Sequence, residues 1–234
     1  MIKMILFDLD GTLLPMDQDI FGKAYLGKMA QKMAPYGYDP KVLVKAIWTG
    51  TGAMVENDGS TTNDQVFWKV FSSIFGRDTR VDEPIFEEYY HKEFQTVKDS
   101  CGFDPRAAEA IREIKALGYR VALATNPLFP AIATYSRAKW AGLNPEDFDL
   151  ITTYENSCHC KPNLEYYRDI LATLHLNAEE CVMVGNDVGE DMIAQELGMQ
   201  VFLLTDNMIN RHGKDISRYP QGSFPELLNF IRAL

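Results

Sequence analysis

The chain has 234 residues, of which 46% are hydrophobic, and it carries a formal net charge of −10. This length and composition predict a folded protein with one large domain, or a core with a smaller insert, and exclude a disordered chain. The acidic charge excludes a nucleic-acid or anionic-membrane surface, and no apolar run approaches the roughly 20 residues that span a bilayer.

The first predicted element is a short strand formed by the apolar run Met4 to Phe7, which is typical of a parallel sheet covered by helices on both faces. Asp8 and Asp10 follow it, and residues two apart in an extended segment point the same way. Two carboxylates this close repel each other unless a positive group lies between them. Mg²⁺ is the simplest candidate, whereas the alternative is that Asp8 to Gly11 forms only a turn.

Residues 17 to about 100 are predicted to be helical, because apolar residues recur there at helical spacing and no strand-like alternation is present. Turn residues such as Pro, Gly and Asn separate the segments. We therefore expect an inserted all-helical cap domain over residues 16–100, with most of its aromatic side chains in its own core. The predicted helices lie near residues 19–35, 41–56, 62–76 and 83–98.

From residue 101 the pattern changes to alternating helices and strands, which is typical of an α/β fold with a parallel sheet. We predict a Rossmann-like parallel sheet core flanked by helices, built from residues 1–15 and 101–234. The predicted strands are 119–124, 148–152, 181–184 and 201–204, and the predicted helices begin near residues 105, 130, 163, 189 and 224.

Polar residues follow several of these strands directly. Asp8 and Asp10 follow the first, Thr125 and Asn126 follow the strand from residue 119, and Asp187 and Asp191 follow the strand from residue 181. Lys161 comes before a proline, at the predicted start of a helix. If the strands are parallel, their carboxyl ends meet at one edge of the sheet, where open α/β sheets bind ligands.

This set of groups suits phosphoryl transfer. A carboxylate can attack as a covalent nucleophile, and a second carboxyl can give and take a proton. A hydroxyl and a lysine can hold the phosphoryl oxygens, and Mg²⁺ can screen the anionic nucleophile from the phosphate. Taken singly, each residue has a structural interpretation, such as a strand-end cap or a helix-dipole partner. Their shared order and placement at strand ends indicate the chemistry.

These motifs resemble those of the haloacid dehalogenase (HAD) superfamily. The resemblance covers residues 4 to 198, and the helical insert is similar to that family's C1-type cap, which closes over the site and selects the substrate. The four matching motifs are Asp8-Leu-Asp-Gly-Thr-Leu13, Thr125-Asn126, Lys161-Pro162 and Gly185-Asn-Asp-Val-Gly-Glu-Asp191.

The resemblance implies that Asp8 is the nucleophile and Asp10 the general acid and base. It implies that Thr125 with Asn126 binds the substrate phosphate, and that Lys161 steadies both the phosphate and the nucleophile.

The implied Mg²⁺ ligands are Asp8, the backbone carbonyl of Asp10, and Asp187, with Asp191 in support. Many members have Asp directly after the motif's glycine, where this chain has Asn186. We favour Asp187 as the ligand, and Asn186 through its side-chain oxygen is the alternative.

The function we expect is a Mg²⁺-dependent phosphatase, similar to phosphoglycolate phosphatases, that hydrolyses a small-molecule phosphate monoester through an aspartyl phosphate. The alternatives are a 2-haloacid dehalogenase, a phosphomutase, or an idle binding protein on the same fold. Dehalogenation needs neither a proton donor nor a metal, so Asp10 argues against it.

We further expect a monomer or homodimer without nucleic-acid or membrane partners. The N-terminus lacks the pattern of a signal peptide, which predicts a cytoplasmic location. The four cysteines are too few for a disulfide framework, and Cys158-His159-Cys160 is interpreted as a free-thiol loop rather than a zinc site.

Overall fold

A computed structural model describes all residues from Met1 to Leu234. Its centre is a parallel sheet of five strands in the order β2-β1-β3-β4-β5, flanked by helices, so the predicted α/β class is confirmed. The strands are β1 (Met4–Phe7), β2 (Arg120–Leu123), β3 (Cys181–Gly185), β4 (Gln200–Leu204) and β5 (Gln221–Gly222).

The middle strands are buried because helices cover both faces of the sheet, and every residue of β1 and β3 is buried. Phe7 at the end of β1 pairs with Leu123 of β2 and with Val184 of β3. The three strands therefore end level with one another, and the residues that follow them emerge at one edge of the sheet.

Eight α-helices accompany the sheet. Several begin where the sequence provides a cap: the Asp17, Asp39, Asp104 and Asn163 side chains each accept a hydrogen bond from a backbone N–H in the first turn. The helices are α1 (Gln18–Met33), α2 (Pro40–Val55), α3 (Asn63–Phe75), α4 (Glu83–His91), α5 (Pro105–Ala116), α6 (Ala131–Trp140), α7 (Leu164–Leu174) and α8 (Phe224–Arg232). None of them is both long and apolar enough to cross a bilayer.

Helices α1 to α4 lie within the range expected for the cap, and all five strands lie outside it. The fourth helix ends at His91, and a 3-10 helix over Glu93–Ser100 continues the chain. The chain enters and leaves this lobe side by side, since Met16 and Cys101 form an antiparallel bridge and Gly102 N–H donates to the Pro15 carbonyl (2.7 Å).

The two lobes share one hydrophobic core. A single cluster of 43 buried residues joins cap side chains such as Tyr25 and Phe94 to sheet residues such as Phe7 and Val184. Apolar contacts therefore hold the cap against the sheet lobe, in addition to the two segments that connect them.

The structure corrects two predicted elements. Residues 148–152 form one bridge, Leu123 with Ile151, instead of a full strand, because the chain turns at Thr153, whose N–H donates to the Asn156 side chain (2.8 Å). The helix predicted from 189 is a 3-10 helix over Met192–Leu197.

Candidate active site

Asp8 is the first residue after β1, and its backbone N–H donates to the Val184 carbonyl (2.9 Å). Asp8 is buried, and its carboxylate lies within hydrogen-bond distance of Lys161 Nζ (3.0 Å) and the Thr12 hydroxyl (3.1 Å). The chain then turns at Gly11, where φ is +87° and a Cβ would lie 2.3 Å from Asn186 Nδ2. Only glycine fits there, so the turn holds Asp8 and Asn186 close to each other.

Lys161 joins two motifs that are far apart in the sequence. Its Nζ lies 3.0 Å from Asp8 Oδ1 and 2.6 Å from Asp191 Oδ1, and its side chain is 1% exposed. Burial alone would lower the pKa of Lys161, but the Asp191 and Asp8 carboxylates raise it well above its ordinary value. Burial raises the pKa of Asp191 to about 7, against the opposing charge of Lys161.

Thr125 and Asn126 follow β2 beside this group. Thr125 is buried, and its carbonyl accepts from the Tyr166 hydroxyl (2.9 Å) and the Thr152 hydroxyl (2.7 Å). Asn126 accepts from the backbone N–H of Lys161 (3.2 Å) and donates to Glu190 Oε2 (3.1 Å). Asn126 thus fixes the position of the loop that carries Lys161.

Asn186 and Asp187 have different surroundings. Asn186 Nδ2 donates to the Asn207 carbonyl (2.7 Å), which leaves Asn186 Oδ1 facing the Thr12 hydroxyl (2.9 Å), the same hydroxyl that Asp8 contacts. A hydroxyl has one proton, so it donates to only one of these two oxygens at a time.

Both oxygens of Asp187 are engaged by protein donors. Oδ1 accepts from the N–H groups of Gly189 (2.7 Å) and Glu190 (3.1 Å), and Oδ2 accepts from Arg211 (2.7 Å). The local geometry therefore favours the alternative ligand, Asn186, over Asp187.

Arg137 lies beside the site, although no sequence pattern above predicted it there. Arg137, on α6, is completely buried and forms an ion pair with Asp10, while its guanidinium lies 4.2 Å from the Phe129 ring centroid. Asp10 Oδ1 and Arg137 Nε have no hydrogen-bond partner. Burial raises the pKa of Asp10, and the Arg137 charge opposes that rise.

A sequence signal for Arg137 did exist. It occupies a core-facing position of α6, three or four residues from the buried positions 133, 134, 140 and 141. An arginine in such a stripe needs a buried acidic partner, because an unpaired buried charge is very costly.

The charges of the site do not balance. Five carboxylates, those of Asp8, Asp10, Asp187, Glu190 and Asp191, face three cations: Lys161, Arg137 and Arg211. No group of three or more His, Cys, Asp and Glu side chains has the spacing of a dense metal site. When all five carboxylates are ionised, the site has an excess of two negative charges. This excess, with a carboxylate and an amide oxygen close together, fits one divalent cation that keeps most of its waters.

A cavity of about 930 Å³ lies between the cap and the sheet edge. Asp8, Asp10, Thr125, Asn186 and Asp191 line one part of it, and residues of α1 to α4 line another. Most of the predicted site residues therefore line one cavity in which a substrate can lie against Asp8, and Lys161 lies behind Asp8.

Known proteins show similarity along the whole chain. A glyceraldehyde 3-phosphate phosphatase of Methanocaldococcus jannaschii is 26% identical, covering 100% of this chain and 99% of the relative. A phosphoglycolate phosphatase of Colwellia psychrerythraea is 25% identical, covering 95% and 92%.

Solved structures share the fold. A HAD phosphatase from Thermococcus onnurineus superposes with a TM-score of 0.59 at 20% identity, covering 98% of each chain. A 2-haloacid dehalogenase from Pseudomonas syringae superposes with a TM-score of 0.62 at 22% identity, covering 100% and 99%. A family model for haloacid dehalogenase-like hydrolases matches residues 2–198. The chain therefore belongs to the haloacid dehalogenase-like hydrolases.

Proposed function

We propose that the protein is a Mg²⁺-dependent phosphatase that hydrolyses a small-molecule phosphate monoester through an aspartyl phosphate on Asp8. The observation that carries this proposal is the buried Lys161 ammonium, which holds Asp8 at the cavity wall with Asp10 two residues further along. The relatives of similar length that are named as phosphatases support it.

In the proposed first step, Asp8 attacks the phosphorus atom and the ester oxygen leaves. Lys161, together with Thr125 and Asn126, holds the phosphoryl oxygens as their charge spreads in the transition state. Asp10 gives its proton to the leaving oxygen. The Arg137 guanidinium donates to Asp10 Oδ2 and keeps the Asp10 side chain in place while this proton moves.

In the proposed second step, Asp10 takes a proton from a water molecule, which attacks the phosphorus of the aspartyl phosphate. Phosphate leaves, and Asp8 returns to its carboxylate form. Asp10 is the feature that favours this reaction over halide displacement, which requires no proton donor at that position.

The residues that would hold Mg²⁺ are Asp8, the Asp10 carbonyl and Asn186, with Asp191 in support. The excess negative charge at the site and the orientation of the Asn186 amide support this set. When bound, Mg²⁺ supplies positive charge that reduces the repulsion between the Asp8 carboxylate and the phosphate.

The test is hydrolysis of p-nitrophenyl phosphate by the purified protein. We expect turnover with Mg²⁺, its loss after chelation, and its recovery when Mg²⁺ is added back. Asp8→Asn removes the activity, whereas Asp99→Asn, a matched change of an exposed carboxylate outside the cavity wall, leaves it unchanged. Turnover by Asp8→Asn at the rate of the unmodified protein would refute the proposal.

A further inference from the structure

The cavity above Asp8 is large for the substrates named for the relatives. Its volume of about 930 Å³ lies near the upper end of the range of roughly 300–1,000 Å³ typical of sites for drug-sized ligands. Glyceraldehyde 3-phosphate and phosphoglycolate have only three and two carbons and no ring. With its phosphate at Asp8, either would leave most of this space unfilled.

Hydrophobic residues make up 17 of the 37 that line the cavity, and several of them are aromatic. Phe67 and Trp68 come from α3, Tyr90 comes from α4, and Phe129 and Tyr154 come from the sheet lobe. Both lobes therefore present rings to the same space, which suits a flat apolar body better than a polyhydroxylated chain.

These rings are held in place before any ligand arrives. The Phe67 ring stacks on Phe71 (centroids 5.4 Å apart) and contacts Trp68 edge-on (5.6 Å) and Tyr154 (6.4 Å). A preformed aromatic surface loses little conformational entropy on binding. It can therefore contribute most of its stacking energy to affinity.

Tyr154 offers a polar contact on the same wall. Its ring lines the cavity, and its hydroxyl lies beside the Trp68 indole N–H. A hydroxyl can donate and accept at once, so it can also bond to a group on a bound ligand. A heteroaromatic ring carries such groups.

The charges away from Asp8 do not suit a second phosphate or a carboxylate. The basic residues that line the cavity are His91, Lys139 and Arg211. Lys139 is exposed, and Arg211 already pairs with Asp187 (2.7 Å). Glu83, Glu87 and Glu155 line the same cavity and would repel a second anion.

We propose that the substrate is a phosphate monoester whose alcohol carries a flat heteroaromatic ring system of nucleobase size or larger and no second anionic group. This proposal rests on the phosphatase function proposed above and adds the class of substrate. The phosphate lies at Asp8 and Lys161, and the ring lies among Phe67, Trp68 and Tyr154.

The experiment compares esters that share their phosphate-bearing alcohol and differ only in the ring. Ribose 5-phosphate is paired with adenosine 5′-monophosphate, and ribitol 5-phosphate with riboflavin 5′-phosphate. A base gains affinity by stacking on aromatic side chains, so we expect kcat/KM to favour the ring-bearing ester by at least about tenfold in one pair or both, mainly through KM.

Two variants on α3 provide a matched comparison. Phe67 and Phe75 both pack on Phe71 (5.4 and 5.0 Å between ring centroids) and both are partly buried, but only Phe67 lines the cavity. Phe67→Ala is expected to reduce the preference for the ring at least about fivefold by raising KM, and Phe75→Ala to leave that preference unchanged.

A preference below tenfold in both pairs would overturn the substrate class, as would no turnover of either ring-bearing ester by protein that hydrolyses p-nitrophenyl phosphate. An equal loss of preference in both phenylalanine variants would also overturn it. The loss would then come from a change in the structure of the cap and not from a lost contact with the ring. No turnover of any ester, p-nitrophenyl phosphate included, is a different result, since it contradicts the phosphatase function itself.

Discussion

Lys161 is the residue on which the proposed site depends most. It is 1% exposed and bridges Asp8 and Asp191, which come from two different strand ends. Without its ammonium, the two buried carboxylates would lie near each other with no positive charge between them. A buried carboxylate left without its partner is costly, so Lys161 contributes both to the stability of the site and to its chemistry.

We predict that Lys161→Met lowers kcat for p-nitrophenyl phosphate by at least about 100-fold, because one donor to the phosphoryl oxygens is lost. The free energy of unfolding should fall by about 3–5 kcal/mol. Steady-state kinetics and chemical denaturation measure the two effects, and Lys98→Met, at an exposed lysine outside the cavity wall, is the control. A kcat within threefold of the unmodified protein would contradict the assigned role.

A second prediction separates the two candidate metal ligands. Asn186→Ala should weaken Mg²⁺ binding at least about tenfold, since it removes the oxygen that lies beside Asp8. Asp187→Asn should change the affinity by no more than about threefold, because both oxygens of Asp187 bond to protein donors. Titration calorimetry with Mg²⁺ measures both affinities, and the reverse order of effects would restore Asp187 as the ligand.

The sequence predicted which side chains would gather at the sheet edge, because polar residues directly after buried parallel strands share one edge. It did not predict the pair Asp10–Arg137, since nothing in the spacing says which acidic residue a buried helical arginine meets. It also could not predict which of Asn186 and Asp187 is the better placed ligand for Mg²⁺. The choice depends on two contacts from the loop that follows β4: the Asn207 carbonyl orients the Asn186 amide, and Arg211 binds Asp187.

At the scale of elements, the N-terminus of α3 is attached to the loop that precedes Lys161. The Asn63 side chain is fully buried and donates to the Pro127 carbonyl (3.3 Å) and to Cys160 Sγ (3.3 Å). The backbone N–H groups of Asn63 and Asp64 donate to the carbonyls of Ser157 and Tyr154 (2.9 Å each). The cap therefore helps to position the segment that carries Lys161.

We predict that Asn63→Ala destabilises the protein by about 1–3 kcal/mol, because buried groups lose their hydrogen-bond partner. Amide exchange in residues 154–161 should become faster, as that segment loses an attachment to the cap. Chemical denaturation and hydrogen exchange by mass spectrometry test this, with the exposed Asn229→Ala as control. Unchanged exchange in 154–161 would show that α3 does not hold the segment.

Most helices and strands follow from local patterns such as caps, apolar periodicity and turn residues. The exceptions have two causes: a side-chain hydrogen bond that turns the chain, and an element too short to show a pattern. Residues 148–152 have the composition of a strand. However, the Thr153 N–H donates to the Asn156 side chain, and the chain leaves the sheet edge there. The last strand, Gln221–Gly222, has only two residues and is too short to give a periodic signal.

At the scale of the whole molecule, the cap and the sheet lobe are joined by one hydrophobic cluster of 43 residues. Trp140 of α6 packs against Phe94 of the cap with ring centroids 4.9 Å apart, and both are members of this cluster. Loss of the cap would expose apolar surface on the sheet lobe. The two lobes are therefore expected to unfold together.

We predict a single unfolding transition in denaturant. Tryptophan fluorescence reports on Trp48 and Trp68 in the cap and on Trp140 at the junction, and far-ultraviolet circular dichroism reports on the whole chain. The two signals should give the same midpoint within error. Separate midpoints would show that the cap unfolds on its own, contrary to the shared core.

The most direct test of the central claim is chemical trapping of the intermediate. Borohydride reduces an aspartyl phosphate to homoserine, and peptide mass spectrometry locates the modified residue. After quenching during turnover of p-nitrophenyl phosphate with Mg²⁺, we predict homoserine at position 8 and at no other aspartate, with none in Asp8→Asn. Homoserine at another position, or none during rapid turnover, would contradict the account.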